Sequence, residues 1–560
     1  MTVLLVNPAC LDPRVTDGDA LLVPMGLFYI AALLNENRIP TQVVNLAVEE
    51  NPLDHLRSRV IAERPRIVGF SVLNANRFSA MEGAKVVKDV DPEILVVFGG
   101  PCATFLCDHL FSLCPELDYV VKGEGEITFL ELAEHLQRDE KHPAAMVQGL
   151  AHRGGLGKIV HTPERRPIED LDSLPIPGRY FDFQHVSLSR GCPGHCTFCG
   201  SPRFWPGARV RFHSPEWFVA QLSLLEKRGI NHFFVSDDTF TMDKTRVIKV
   251  CRIIIEQELP ITWVAISRVD FIDSEILLWM RRAGCTQISF GVESGSADIR
   301  KRLGKPMDRE RIVKAFALTV SYGIMPRAYF IYGSPGETDK TIRESLDLIM
   351  EIRPLSAIFY LLVLFPGTHL YQRLVDQGRL SDQLWSRKIE DLPWFEMDPD
   401  LDFDRVKTFG HALRKGFYSN LSDFAAGIEL VDEKSLYPLH ADFLSRLALT
   451  FSHGEYAQNP WVKKPMDTAQ LLFERALGYH PDHRAFLGLA MLFQKLRQFD
   501  SAIATATAGL RHFKSSRDLN ICMAVSLMNL GRFQDALGFL EPFKDNPEVK
   551  VYVDACIGRI

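Results

Sequence analysis

What the 560-residue sequence lacks narrows it quickly. No apolar run approaches the roughly 20 residues that a membrane helix needs; the longest, around Ala357–Phe365, is about half of that. No basic leader precedes the apolar start Met-Thr-Val-Leu-Leu-Val-Asn-Pro, which therefore reads as a first strand and not as a secretion signal, so a cytoplasmic protein is expected. There is no excess of positive charge. The net charge of −6 argues against a general binder of nucleic acid or of acidic membranes, and partners must be recognised locally. The first strand is followed by Asn7-Pro8-Ala9-Cys10 and not by G-x-G-x-x-G, so the phosphate cradle of a dinucleotide site is missing. Disulfides are not expected either, because the 11 cysteines are odd in number and most sit inside apolar runs. With 46% hydrophobic and 24% charged residues the composition is that of an ordinary globular chain, long enough for about three or four domains.

What is present centres on Ser-Arg-Gly-Cys-Pro-Gly-His-Cys-Thr-Phe-Cys-Gly, a C-x3-C-x2-C array of Cys192, Cys196 and Cys199 just after the strand-like run Val186–Ser189. A cubane iron–sulfur cluster closed by protein takes four thiolates, one per iron. This loop offers three, and the next cysteine, Cys251, lies far downstream inside a predicted helix, so one iron is left open for a ligand. The alternative is a structural zinc loop with His195 or His185 as fourth ligand. Such sites usually pair two knuckles across a spacer, and the chain has no second C-x2-C. At this point the sequence resembles the radical S-adenosylmethionine enzymes. The resemblance implies a 4Fe-4S cluster whose open iron chelates S-adenosylmethionine and, once reduced by an external one-electron donor, cleaves it to a 5′-deoxyadenosyl radical. Phe198 matches the aromatic position that packs near the adenine in that family.

Residues 1–145 alternate short β-rich runs (Val3–Asn7, Thr41–Asn45, Ile67–Phe70, Ile94–Gly99, Tyr119–Lys122) with amphipathic helical runs, which predicts a doubly wound, Rossmann-like parallel sheet. Such sheets bind ligands at the carboxyl ends of their strands. There lie Ser71 and two glycine turns, Gly99-Gly100-Pro101 and Gly123-Glu124-Gly125-Glu126. With Pro24-Met25-Gly26-Leu27 opening the first helix, these turns look like the cobalamin-binding domain that precedes the radical domain in one large subgroup of the family. The resemblance makes Ser71, Gly99, Gly100, Pro101, Glu124, Gly125 and Glu126 cofactor-binding. D-x-H-x-x-G, the motif whose His ligates cobalt in cobalamin proteins of the methionine-synthase type, does not occur, so no His of this motif is expected to reach the metal. Cys102 stands where relatives often have His. The other reading of the domain is a cobalamin-free remnant used for docking. Cys102, Cys107 and Cys114 read as buried apolar residues and not as a second metal site.

Residues 146–184, rich in glycine, proline and charge, read as a linker. From 185 to 380 alternation resumes, with strands at Val186–Ser189, His232–Asp237, Trp263–Ser267, Gln287–Val292, Pro326–Ile331 and Ala357–Leu364. Helices start at Ser214-Pro215 and Asp273 and stop near Gly229, Gly284 and Gly323, which gives a partial (β/α)6 barrel. Active sites of barrels collect at strand carboxyl ends, where Asp237 and Asp238, Arg268, Glu293 and the turn Gly333-Ser334-Pro335-Gly336-Glu337 fall. By the resemblance, Asp238, Arg268 and Glu293 hold the methionine amino group, its carboxylate and the ribose hydroxyls, and Gly336 and the turn Phe365-Pro366-Gly367-Thr368 lie at the cofactor. Taken one at a time, the same residues read equally as capping carboxylates and a solvated Arg.

Residues 381–455 read as a helical, acidic extension with Trp385, Trp394 and Phe395 that caps the open barrel. In residues 456–560, Phe499-x2-Ala502 recurs as Phe533-x2-Ala536 and Ala490 recurs as Ala524, both at the same offset, which is the tetratricopeptide period. Ala469, Phe473, Ala476 and Pro481 fit the second helix of an earlier, partial repeat. This all-α tail presents either a surface for a protein partner or a clamp or dimer contact. The resemblance as a whole implies C-methylation of an unactivated carbon, in which an adenosyl radical removes hydrogen and methylcobalamin delivers the methyl group to a small-molecule or peptide substrate. The runner-up is a radical cyclase or oxidative enzyme of the anaerobic porphyrin-cyclase kind. A different class, an iron–sulfur scaffold or sensor acting through its repeats, would release no 5′-deoxyadenosine.

Overall fold

The computed structural model describes residues 1–10, 21–137, 146–205 and 210–559. Strands β1 (Val3–Asn7), β2 (Thr41–Asn45), β3 (Ile67–Ser71), β4 (Leu95–Gly99) and β5 (Tyr119–Val121) form a parallel sheet in the order 2-1-3-4-5, the doubly wound arrangement the alternation predicts. Strands β1 and β3 are buried along their whole length and apolar up to their carboxyl-terminal Asn7 and Ser71, because helices cover both faces.

The stretch 146–184 is more than a linker. It adds β6 (Leu150–Arg153) and β7 (Ile159–His161) antiparallel to the β5 edge and makes the sheet seven-stranded. Gly149, at φ 80°, turns the chain into that edge: Lys122 donates its backbone N–H to the Gly149 carbonyl, and the Gly149 N–H reaches the Pro163 carbonyl. Two such short strands amid glycines carry too little alternation to be legible beforehand.

Strands β8 (His185–Val186), β11 (His232–Val235), β12 (Thr262–Ser267), β13 (Cys285–Glu293), β14 (Met325–Tyr332) and β15 (Ser356–Leu361) form a second parallel sheet, in the order 15-14-13-12-11-8. Its two end strands do not pair with each other, so the barrel is open. The expected strand Val186–Ser189 breaks in two. Asp237 accepts the Leu188 N–H at 2.9 Å and the Ser189 hydroxyl, drawing the chain off the sheet, and β9 (Ser189–Arg190) pairs antiparallel with β10 (Arg211–Phe212). The helix boundaries follow the sequence signals. Ser214 and Asp273 cap the backbone N–H groups of Trp217 and Ile276, and Gly229, Gly284 and Gly323 follow helix ends at positive φ.

The extension wraps the barrel. Trp385 is fully buried, and the equally buried Arg77 of the first domain donates to the carbonyls of Trp385, Arg387 and Ile389, which straps the segment across both domains. The helix Tyr437–Ser452 closes the amino-terminal end of the barrel, where buried Arg281 bonds Asp442 at 3.0 Å and the Leu439 carbonyl at 2.6 Å. No packing boundary falls at residue 456. The helix Pro465–Tyr479 lies along Tyr437–Ser452, and the main core continues unbroken to Leu492. Ala469, Phe473 and Ala476 lie on this helix, whose main packing partner is the preceding Tyr437–Ser452, so they occupy the second helix of a pair, as the sequence pattern suggests. The following pairs, His483–Lys495 with Phe499–His512 and Arg517–Asn529 with Phe533–Leu540, start one repeat period apart, with Ala490, Ala502, Ala524 and Ala536 fully buried between helices. No described helix is long and apolar enough to cross a membrane.

Candidate active site

The cysteine loop leaves β9 and lies at the carboxyl end of the barrel. Gly191 at φ 102° starts it, and the Gly194 N–H points at the Cys192 sulfur 3.4 Å away. Among the described residues, the one trio of metal-ligand side chains whose ligand atoms all lie within 4.8 Å of one another is Cys107, Asp108 and His161. Cys192, Cys196 and Cys199 are therefore spread wider. Burial pushes the Cys196 thiol up and the Cys199 thiol to about 11, so both favour the protonated form at neutral pH, and a bound metal would have to take the place of those protons.

The predicted ligand residues converge on this loop to different degrees. Arg268 extends a guanidinium nitrogen to 3.6 Å from where a Cβ on Gly194 would lie, and Asp270 steadies it at 2.9 Å. Glu293 is buried, sits at φ 65° where β13 and β14 shift register, and is ion-paired with Lys305 at 2.7 Å. A non-glycine residue held in the left-handed region at a strand end is strained. Gly291 makes room for it, since any Cβ there would collide with the Glu293–Lys305 pair. Glu293 is thus committed to Lys305 through one oxygen, a partner that sequence reasoning missed. Asp238 accepts the Ser201 hydroxyl at 2.6 Å, which ties it to the first turn after Cys199. Phe198 is half-buried against the barrel core. Gly336, at φ 73°, lies against Arg302, while Glu337 turns back on its own loop and accepts the Gly333 N–H at 2.5 Å. Burial pushes the Glu337 carboxyl up to about 7. Gly367 is covered by the Phe105 ring of the first domain, so its turn is part of the domain contact.

Above the loop, a cavity of about 340 Å³ joins the two domains. Ser71, Gly99, Gly100, Pro101 and Gly123 to Glu126 line it from the first sheet; Ser189, Arg190, Gly191 and Asp238 line it from the barrel. The residues fit a bulky ligand. A Cβ on Gly26 or Gly123 would meet no atom within 4 Å, and Gly100 at φ 95° lies close against the Val72 backbone. A ligand the size of cobalamin overflows 340 Å³. A second cavity of about 1040 Å³ inside the barrel shares Pro24, Met25 and Ser236 with the first.

Glu124 and Glu126, expected to be cofactor-binding, line the cavity and also form a buried clamp. Arg190 bonds Glu124 at 2.9 Å and Glu126 at 2.7 Å, and Arg211 bonds Glu124 at 2.9 Å. Burial would raise the Glu124 carboxyl, yet the Arg211 and Arg190 bonds hold it below its ordinary value. Arg190 lies over the Tyr29 ring at 4.9 Å and stands two residues before Cys192, so the clamp ties the glycine turn to the cluster loop. Next to it His213 is buried; burial lowers its pKa to about 4. Both its ring nitrogens are engaged, by Tyr29 at 3.2 Å and Asp172 at 3.1 Å, so it offers no free lone pair to a metal. Arg190 and His213 were not among the predicted residues. The only sequence signal was an Arg directly before Gly-Cys and two Glu in a glycine turn with nothing to neutralise them.

Cys102, Cys107 and Cys114 are buried in the first domain's core, as their apolar setting suggests. Cys107 does approach Asp108 and His161, but the Lys122 ammonium lies 3.4 Å from the His161 ring and claims the place of a cation.

Fold and site together define an enzyme class with an open-iron cluster at the mouth of an open barrel and a glycine-lined cradle above it. Residues 186–349 match the Radical SAM superfamily model and residues 15–133 match the B12 binding domain model. The chain is 30% identical over 376 residues to an uncharacterized methyltransferase of Pyrococcus horikoshii, covering 65% of this chain and 81% of the relative. It is 27% identical over 377 residues to an anaerobic magnesium-protoporphyrin IX monomethyl ester cyclase of Rubrivivax gelatinosus, covering 64% and 67%. Its fold is similar to that of TsrM, a radical S-adenosylmethionine methyltransferase from Kitasatospora setae solved with cobalamin and a [4Fe-4S] cluster (TM-score 0.60, 17% identity, covering 85% of this chain and 99% of that one). The chain belongs to the cobalamin-binding radical S-adenosylmethionine enzymes, whose cofactors are a [4Fe-4S] cluster, S-adenosylmethionine and cobalamin.

Proposed function

We propose that the protein methylates an unactivated carbon of its substrate. The observation that carries this reading is the shared lining of the two cavities. Pro24, Met25 and Ser236 border both the glycine-turn cradle and the barrel interior, so a methyl carrier in one faces a substrate in the other. When bound, the cluster and S-adenosylmethionine supply a carbon radical, and cobalamin supplies a methyl group; a radical route is what a carbon with neither an acidic hydrogen nor electrophilic character requires.

The chain's own part is to bind and to orient. Cys192, Cys196 and Cys199 hold three irons, and Arg268 is placed beside the loop to pair with a carboxylate. Asp238, fixed by Ser201, suits an ammonium, and Glu293, oriented by Lys305, suits ribose hydroxyls. Gly26, Ser71, Gly99, Gly100 and Gly123 would let a corrin approach the first sheet closely, and the D-x-H-x-x-G motif that would supply a histidine is missing from the sequence. The electron comes from an external one-electron donor, in the cytoplasm. The terminal helix pairs give a tetratricopeptide-like docking surface, and removing residues from 483 onward, whose helices share a terminal core, would raise KM for the substrate if that surface reads it.

The relative from Rubrivivax gelatinosus is a cyclase, and product mass separates the two chemistries. Anaerobic turnover followed by mass spectrometry should show a product heavier by one methylene. A product that has only lost hydrogens would mark a cyclase or oxidase instead.

A further inference from the structure

The cavity of about 1040 Å³ is the barrel's interior, and its lining describes what enters it. In a closed (β/α)8 barrel this space is filled by layers of side chains. Here the inward row of β13 is the short Ser289 and Gln287, and inward-facing Ile266 and Tyr360 remain 37% and 44% exposed. The walls are apolar and aromatic, from Phe234, Ile266, Tyr329, Ile358 and Tyr360.

The end far from the first domain is cationic. Four arginines line the cavity, Arg281, Arg327, Arg446 and Arg484, against one carboxylate, Asp442. Asp442 is shared by three of them, with Arg281 at 3.0 Å and Arg446 and Arg484 at 2.8 Å each. Despite burial, Arg281 and Arg446 hold the Asp442 carboxyl down to about 2. Arg281 is further anchored on the carbonyls of Leu439 and Cys285. Arg327 bonds only the Ser356 hydroxyl, at 3.0 Å, and among the described residues no carboxylate lies within ion-pair distance of it. Burial and the neighbouring Arg446 hold His232, also in the lining, below its ordinary pKa. Uncompensated positive charge in an enclosed, mostly apolar space costs stability unless a ligand neutralises it.

We propose that the substrate has a largely apolar, ring-sized body and a carboxylate or phosphate group, and that Arg327 of β14 reads that anion, with Arg446 of the floor helix adding to the positive field at the same end of the cavity. Arginine suits both groups because its planar fork matches two oxygens. The position sets a length. Arg327 lies three residues before Phe330, which pairs with Glu293 at the cluster end, so the anion sits about 10 Å below the level of the reacting carbon at about 3.3 Å per residue. This rests on the methyl-transfer reading, but the probes below report binding without turnover. Release of 5′-deoxyadenosine by the wild-type holoenzyme tests the reaction separately.

The experiment is a fluorescence titration of the full-length, cluster- and cobalamin-loaded protein with 1-anilinonaphthalene-8-sulfonate and its uncharged counterpart N-phenyl-1-naphthylamine. The sulfonate should bind about tenfold tighter than the neutral probe. Arg327→Gln and Arg446→Gln should each weaken the sulfonate about fivefold or more and leave the neutral probe within about twofold, with Arg327→Lys recovering part of the loss. If Arg327→Gln does not fold, Arg446→Gln, whose side chain is 44% exposed, carries the test alone. Displacement of the sulfonate by 1-naphthoate or by 1-naphthyl phosphate tells which anion is read, and displacement by neither overturns the proposal. Equal affinities for the charged and neutral probes, or parallel losses of both in the variants, overturn it as well.

Discussion

Strands β1 and β3 bury all five of their residues, whereas β11 and β12 alternate buried with partly exposed positions, and that contrast decides where each sheet can hold a ligand. The first sheet is packed by helices on both faces. A ligand can meet it only at the strand ends, where Gly99, Gly100 and Gly123 leave the backbone bare. The second sheet is covered on one face and curls its other face around an empty interior, so it binds inside. Two parallel sheets of similar size thus perform complementary tasks, and the Arg190 clamp joins the mouth of one to the rim of the other.

The largest effect should come from the loop at the barrel mouth. Cys196→Ala should abolish both the labile sulfide, expected at about four irons and four sulfides per chain in the wild type, and 5′-deoxyadenosine release. One zinc per chain without sulfide in the wild type would contradict the cluster. Next is the clamp. Removing one partner of a buried, hydrogen-bonded ion pair typically costs about 3–5 kcal/mol, so Arg190→Met should lower the unfolding free energy by that amount and reduce the iron retained. Denaturant unfolding indistinguishable from wild type would show that the two sheets are not coupled there. Smallest is a change confined to the strand-end cradle. Gly26→Phe, built where no atom lies within 4 Å, should weaken cobalamin about tenfold, or about 1.4 kcal/mol, while iron content stays normal. Unchanged cobalamin retention would mean that the cofactor lies elsewhere.

The contrast between the sheets was itself partly legible. Continuous apolar runs such as Val-Leu-Leu-Val gave β1 its bounds, but the equally continuous Trp-Val-Ala-Ile of β12 gave no sign that only one of its faces is covered. Local chemistry was readable wherever one residue decides it: Ser214 and Asp273 as caps, Gly284 as a stop, three thiolates as an incomplete ligand set. What stayed hidden depends on contacts between distant segments. Asp237 breaks the first barrel strand by reaching back 49 residues to Leu188, and Glu124 is claimed by arginines 66 and 87 residues on. Lys305 fixes Glu293 only because the register shifts at Gly291. The repeats showed their period and the place of Ala469 and Phe473 in a second helix, but not the first helix of that pair, Tyr437–Ser452, which lies in the stretch read as a separate extension.

The central claim, that a radical centre in the barrel and a methyl carrier in the cradle act on one substrate, is tested most directly by following both products of S-adenosylmethionine together. With trideuteromethyl-labelled S-adenosylmethionine under anaerobic, reducing conditions, S-adenosylhomocysteine and 5′-deoxyadenosine should form in equal amounts, with the label in the product. Release of 5′-deoxyadenosine with no S-adenosylhomocysteine and no label in the product would contradict it.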